Sequence, residues 1–320
     1  MTLVCATLAA MALLFATDFD NPRDWVPALK AELPDLEVRV WPAVGDPADI
    51  RYALTWNPQP GLLASLPNLQ VIFSLGAGVD GILTDPDLPP ALPLVRMVDQ
   101  SLTEGMTEYV VLHVLDWHRQ AAAYRAQQRK SLWRPRLERL ARERKVGVMG
   151  LGELGRHAAL ALAALKFDVA GWSRTPKTID GVTCFHGAGR GFTRFLAASE
   201  ILVCLLPLTK ATAGILGAAT FDRLPRGAYL INAARGSHLV ETDLLAALGS
   251  GQIAGATLDV FGDEPLPRGH PFWRDPRITI TPHVASVTHA RTAARSVAAQ
   301  IGRFQADAPL DHLVDRKAEY

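Results

Sequence analysis

Lys145 to Arg174 reads KVGVMGLGELGRHAALALAALKFDVAGWSR, and the reading of the whole chain starts there. Val146-Gly147-Val148-Met149 is a short apolar run of the length of a buried strand. Gly150, Gly152 and Gly155 follow in G-x-G-x-x-G spacing, with Glu153 and Leu154 between the last two. A helical pattern comes next, placing Leu154, Ala158, Ala161, Leu162 and Leu165 on one face, and a second strand spans Asp168 to Trp172. Strand, glycine turn, helix and strand within about 30 residues is the context that a dinucleotide-binding fingerprint requires. Gly150 permits a tight turn, Gly152 removes the side chain that would block a pyrophosphate, and Gly155 lets helix and strand pack closely. The pyrophosphate then meets unpaired N–H groups at the positive end of the helix. Gly150, Gly152, Glu153, Leu154 and Gly155 are therefore candidate cofactor contacts.

The far end of the second strand bears on which dinucleotide binds. Sites for NAD usually place Asp or Glu there, on the ribose 2′-hydroxyl. Here the stretch is Trp172-Ser173-Arg174-Thr175-Pro176-Lys177, with cations and hydroxyls and no acid. A carboxylate would repel a 2′-phosphate, whereas Arg174 can pair with it, helped by Ser173, Thr175 or Lys177. NADP is the expected cofactor, with NADPH preferred over NADH.

Working outward, 320 residues suggest about two domains. Hydrophobic residues at 49% and charged residues at 20% describe a well-packed soluble protein rather than a disordered one. A net charge of +1 gives no long-range field for nucleic acid or an anionic membrane. The Arg-rich segment Arg134 to Lys145 is interleaved with Glu138 and Glu143 and reads as a solvated approach to the strand. Cys5, Cys184 and Cys204 are scattered without a C-x-x-C pair, which fits a reducing cytoplasm. Thr2 to Ala16 is nearly all apolar, yet no Lys or Arg precedes it, and it is too short to span a bilayer. Met11 to Ala16 reads as a first strand behind a short extension, with an export signal as the alternative and Met11 as another possible start.

Between Met11 and Val98 short apolar runs alternate with helical or turn stretches. The expected strands are Ala12–Ala16, Glu37–Trp41, Tyr52–Trp56, Gln70–Ser74 and Leu94–Met97, with a helix from Trp25 to Leu33. Ser101 to Gln128 reads as a long helix or a helix pair; its His113 and His118 are five apart, a spacing that does not put two metal ligands on one face. After the fingerprint come strands at Glu200–Leu206, Ala228–Asn232, Ala256–Val260 and Arg277–Thr281, with a helix at Glu241–Ser250. A final helix, His289 to Ala306, can cross back to the first part. The fold class is α/β, two doubly wound parallel-sheet domains. A Rossmann domain (101–286) is inserted into a flavodoxin-like substrate domain (1–100 with 287–320), with hinges near Gln100 and Ser286.

Leu75-Gly76-Ala77-Gly78 follows a first-domain strand, so its backbone N–H groups lie at the carboxyl edge, where open α/β sheets bind ligands. Trp56 follows another and can line a cleft. In the second domain Arg235, Glu264 and His283 each sit just past a strand end, on the edge that the glycine turn occupies. A cation, a carboxylate and an imidazole can converge there. An Arg holds a carboxylate with its rigid fork of donors. A His has an unperturbed pKa of about 6.5 and can protonate a developing oxyanion near neutrality. A carboxylate beside it favours the charged ring and fixes its orientation.

The chain resembles the D-isomer-specific 2-hydroxyacid dehydrogenase family over nearly its whole length. The matching motifs are Leu75-Gly-Ala-Gly-Val-Asp80, Gly150-x-Gly-x-x-Gly155, Asn232-Ala-Ala-Arg235-Gly, Asp259-Val-Phe-x-x-Glu264-Pro and Thr281-Pro-His283. The spacing of Arg235, Glu264 and His283 is similar to that of the family's catalytic trio. Within the family, Gly171-Trp-Ser-Arg-Thr-Pro-Lys177 and the ending Val314 to Tyr320 look most like the glyoxylate and hydroxypyruvate reductase branch. The resemblance implies reduction of a small 2-oxoacid, with Arg235 on the carboxylate and His283 as general acid. It adds Leu206, Pro207, Thr212, Ala233 and Asp259 to the cofactor contacts and implies a homodimer through Ser101 to Gln128. It also raises the expectation that Trp133 reaches a neighbouring subunit's site. Two readings stay open beside it: a broader NAD-linked D-2-hydroxyacid dehydrogenase, and a dinucleotide-sensing binding protein such as the transcriptional corepressors that share the fold.

Overall fold

A computed structural model of the chain describes residues 11–320. The extension before Met11, and with it the export-signal alternative and Cys5, lies outside the described residues. The first elements are β1 (Ala12–Ala16), α1 (Pro22–Glu32), β2 (Glu37–Val40), β3 (Ile50–Thr55), β4 (Val71–Ser74), α2 (Asp80–Leu83) and β5 (Leu94–Val95). The long helical region resolves into α3 (Gln100–His118) and α4 (Ala121–Gln128), parted where Gln120 turns left-handed at φ 56°. Then follow β6 (Lys145–Met149), α5 (Glu153–Ala164), β7 (Asp168–Ser173), β8 (Thr183–His186), α6 (Arg190–Ala197), β9 (Ile201–Cys204), α7 (Ala218–Phe221), β10 (Ala228–Asn232), α8 (Glu241–Ser250), β11 (Ile253–Leu258), β12 (Ile278–Ile280) and α9 (Ala290–Gln305).

The chain divides into two compact units: one ends at Leu102 and resumes at Thr288–Tyr320, the other is Thr103–Val287. The first holds a parallel sheet in the order β2-β1-β3-β4-β5, a doubly wound arrangement. Strands β1, β3 and β4 are largely apolar runs buried on both faces, whereas the edge strand β2 is mixed and only partly buried. On one face Phe15 meets Trp25 of α1 at 5.6 Å and Tyr52 meets Phe304 of α9 edge-on at 6.3 Å; on the other, Leu14, Ala53 and Ile72 pack with Leu63, Leu66 and, from α2, Ile82.

The second unit holds seven parallel strands in the order β12-β11-β10-β9-β6-β7-β8. Side chains alternate between two cores. Val146, Val148, Val203 and Ile231 pack with Val110 and Val114 of α3, while Met149, Leu202, Leu230 and Leu258 pack with Phe195, Phe221 and Phe272. The chain winds one way from β6 to β7 and the other way to β9, so the reversal of strand order lies between β6 and β9. Ligands of such sheets bind at that point, on the carboxyl edge.

Several expectations shift. Strand β11 starts at Ile253 and ends before Asp259, releasing that residue into the loop where its carboxylate is used, and β5 stops at Val95. Leu165 is 43% exposed, because α5 ends at Ala164 and Lys166 turns left-handed at φ 70°. The buried face of α5 is instead Gly155, Ala158, Ala159 and Leu162, small residues that suit close approach to the sheet. Strand β8 and helix α6 add to the expected elements; β8 is a mixed four-residue edge strand whose state is set by pairing with β7.

Candidate active site

The glycine turn leaves β6 with Gly150 at φ 107°, a conformation that side chains resist. A Cβ there would also come 2.6 Å from Leu205 O, and one at Gly155 would lie 1.8 Å from Gly150 O. At Gly152, in ordinary extended backbone at φ −75°, a Cβ meets nothing within 4 Å. Two glycines are thus demanded by the protein's own packing, and the third borders open space at the start of α5. Open space there, before unpaired helix N–H groups, is the cradle a pyrophosphate needs, so the residues present fit a dinucleotide.

At the end of β7, Ser173 is buried and its hydroxyl donates to Thr175 O at 2.7 Å, shaping the turn. Arg174, Thr175 and Lys177 are exposed beside it, and no acid stands among them. Beyond β9, Leu206 is buried, and the loop is stitched by Thr212, whose Oγ1 donates to Pro207 O at 2.7 Å and accepts from Thr209 N at 2.8 Å.

Arg235, Glu264 and His283 stand past the ends of β10, β11 and β12. His283 Nδ1 lies 2.7 Å from Glu264 Oε2, and a carboxylate can only accept, so Nδ1 carries the proton and Nε2 points away from the pair. Glu264 Oε1 accepts from Phe261 N at 2.8 Å, which fixes the other oxygen. Burial pushes the Glu264 carboxyl upward, but the hydrogen bonds from His283 and Phe261 and the charges of His283 and Arg235 outweigh it and hold it below the usual range. The pair is about one-third exposed, open enough to meet a ligand. Arg235 is half-buried, with Nη1 donating to Ala234 O at 2.7 Å.

A second layer, absent from the sequence reading apart from Asp259, braces this trio. His283 itself is left-handed, at φ 54°. Asp259, 1% exposed, holds the loop on both sides of it: its carboxylate accepts from Thr281 Oγ1 at 2.6 Å, Val284 N at 2.9 Å and Ala285 N at 2.8 Å, and its carbonyl accepts from His283 N. Thr281 donates to Asp259, so Tyr109 of α3, 2.7 Å from the same hydroxyl, donates to Thr281. Asn232 Nδ2 donates to Arg235 O, and Gly236 is forced to be glycine by the Phe261 backbone, which a Cβ would meet at 1.9 Å. His113, named only as a metal-ligand candidate to be set aside, is buried with Nδ1 3.4 Å from Thr257 Oγ1, and burial lowers its basicity.

In the first unit, Leu75 is buried and Gly76 to Gly78 follow β4 at the carboxyl edge. The ring of Trp56 lies against Gly76, where a Cβ would meet it at 2.6 Å. Trp133 is fully exposed on a stretch without regular structure, together with the exposed Leu132, Leu137 and Leu140.

Residues 111–285 match the family described as D-isomer specific 2-hydroxyacid dehydrogenase, NAD binding domain. The chain is 44% identical over 310 residues to glyoxylate/hydroxypyruvate reductase A of Yersinia enterocolitica, covering 95% of this chain and 98% of that one. Among solved structures it is similar to a D-isomer specific 2-hydroxyacid dehydrogenase of Xanthobacter autotrophicus in complex with NADPH and MES, with a TM-score of 0.94 and 45% identity over 98% of this chain and 100% of that one. It is similar also to an NADPH-dependent glyoxylate/hydroxypyruvate reductase of Sinorhizobium meliloti in complex with NADP and sulfate, with a TM-score of 0.91 and 41% identity over 97% of this chain and 100% of that one.

Proposed function

The chain belongs to the D-isomer-specific 2-hydroxyacid dehydrogenase family, and from that premise we propose that it reduces small 2-oxoacids with NADPH, glyoxylate to glycolate and hydroxypyruvate to D-glycerate. The observation that carries the chemistry is the His283–Glu264 pair at 2.7 Å, beside Arg235 and on the same sheet edge as the glycine cradle. The reduced nicotinamide, when bound, supplies a hydride to the ketone carbon. Arg235 binds the substrate carboxylate through its fork of donors. His283, charged, gives its Nε2 proton to the ketone oxygen as the carbon is reduced, a role worth about 10²- to 10⁴-fold. Glu264 fixes the ring through Nδ1, so that Nε2 is the nitrogen offered to substrate.

Arg174, Thr175 and Lys177 support NADP over NAD, as do the relatives bound to NADPH and NADP. Gly150, Gly152, Glu153, Leu154, Gly155, Ser173, Leu206, Pro207, Thr212, Ala233 and Asp259 complete the proposed cofactor contacts. In the proposed division of labour residues 101–286 hold the dinucleotide, and residues 1–100 with 287–320 contribute Trp56 and the amides of Leu75 to Gly78 to the oxoacid. The exposed Trp133 and its leucine neighbours support a homodimer. No helix among the described residues is long and apolar enough to cross a membrane, and the free Cys184 and Cys204 suit the cytoplasm, where we place the reaction.

Following absorbance with NADPH or NADH and a panel of 2-oxoacids tests this reading. Oxidation of NADPH by glyoxylate or hydroxypyruvate, with a lower KM for NADPH than for NADH, is expected. Binding of the dinucleotide without turnover of any 2-oxoacid would support the sensing protein instead.

A further inference from the structure

Arg235 leaves β10 in a loop held at its carbonyl by Asn232, and the proposed chemistry needs its guanidinium kept in place. The main chain of that loop is pinned by a histidine outside the trio. His238 is completely buried. Its Nε2 lies 3.2 Å from Pro207 O, and a carbonyl can only accept, so Nε2 carries the proton. Nδ1 is then a lone pair, and it accepts from Arg235 N at 3.2 Å. Nδ1 is also 3.2 Å from Arg235 O, but with the ring proton on Nε2 and the Arg235 N–H aimed at the Nδ1 lone pair, the donor to that carbonyl is Asn232 Nδ2, at 3.0 Å. One ring thus joins the residue proposed to hold the substrate carboxylate to the Leu206–Thr212 loop proposed to line the cofactor. Around it, Ser237 O accepts from Gly214 N and His238 O accepts from Leu216 N, so main-chain bonds carry the same segment on to the far end of that loop.

We infer that His238 is a positioning residue of the oxoacid reduction, whose neutral ring latches the Arg235 main chain to the Pro207 carbonyl. The inference rests on the reductase reading. Its physical content is an asymmetry between the two arms of the latch. Pro207 O also accepts from Thr212 Oγ1, so it keeps a partner when the ring is lost. The Nδ1 arm, by contrast, holds the main chain of Arg235 itself, so losing that acceptor lets the loop that carries the guanidinium shift. Because Arg235 grips a carboxylate that is the same before and during the reaction, loosening it weakens ground state and transition state alike and surfaces in KM more than in kcat.

Three variants assayed with NADPH and glyoxylate test this. His238→Leu fills the apolar space and makes neither bond; it should raise the glyoxylate KM about 10- to 100-fold, with kcat per folded molecule and NADPH affinity each within about threefold. His238→Asn puts an oxygen near the Nδ1 place and should recover most of that KM, whereas His238→Gln, whose amide reaches toward Pro207, should not. A merely structural histidine would lower Tm in all three and leave the KM of the surviving enzyme at the wild-type value, which overturns the inference. Should the leucine variant fail to fold, equal KM values in the Asn and Gln variants overturn it by themselves. Wild-type protein that turns over neither glyoxylate nor hydroxypyruvate removes the reductase reading and the inference with it; wild-type turnover with an unchanged KM in the variants removes the inference alone.

Discussion

The two halves of one sheet edge work by opposite means. Past β6, at Gly150 to Gly155, the site is made by leaving side chains out, and the binding we propose there falls to the backbone and the helix end. Past β10, β11 and β12 it is made by side chains that sit far apart in sequence and are braced from behind: Glu264 by Phe261 N, His283 by the Asp259 clamp, Arg235 by Asn232 and His238. The difference teaches where each half is vulnerable. The glycine half fails when an atom is added, and the other half fails when one is removed.

His283→Ala is the most severe way to break the second half. It should lower kcat for oxoacid reduction by about 10²- to 10⁴-fold while NADPH affinity stays near wild type. Steady-state kinetics beside a fluorescence titration of NADPH would show it, and unchanged turnover would remove His283 from the acid's role.

The glycine half can be split against itself. Gly155→Ala drives a methyl into Gly150 O and should destabilise the fold by about 1–3 kcal/mol, read as a lower Tm. Gly152→Val adds atoms where the protein has none and should leave Tm nearly unchanged, yet weaken NADPH about tenfold or more by blocking the pyrophosphate. If both variants lose Tm and neither loses cofactor selectively, the separation of packing glycines from the ligand glycine fails.

The smallest effect concerns acid. The Glu264 carboxyl is held below its ordinary value in the folded protein, so it contributes stability that is fully present above its unfolded pKa and is lost as pH falls through the folded one. Melting temperatures measured from about pH 5 down to pH 3 should therefore fall less steeply for Glu264→Gln than for the wild type. Identical slopes would mean that the carboxylate gains nothing from His283, Phe261 and Arg235.

The same contrast explains how much could be read without a structure. The strand, turn and helix around Gly150 are local: a parallel strand buried on both faces is a run of apolar residues, and a ligand-facing backbone is a run of glycines, so both are written in consecutive positions. The absence of an acid at Ser173 to Lys177 is local too, and it points to NADP before any coordinates are seen. The positions of Arg235, Glu264 and His283 beyond strand ends were legible for the same reason, since each follows a recognisable apolar run.

Their bracing was not. Nothing in Leu258-Asp259 announces that this carboxylate receives Thr281, Val284 and Ala285, and Tyr109 looks like one more apolar-face residue of a helix. The state of β8 was hidden because a short mixed edge strand exists only through its pairing with β7. His238, in a loop among ordinary neighbours, becomes conspicuous only when Pro207 and Arg235 are seen on either side of its ring. The sequence alone determined the fold class, the glycine turn and the placing of Arg235, Glu264 and His283 beyond strand ends, because those depend on residue type and short-range order. Tertiary structure alone decided which groups hold them, because a buried hydrogen bond is set by which strand ends the fold makes neighbours.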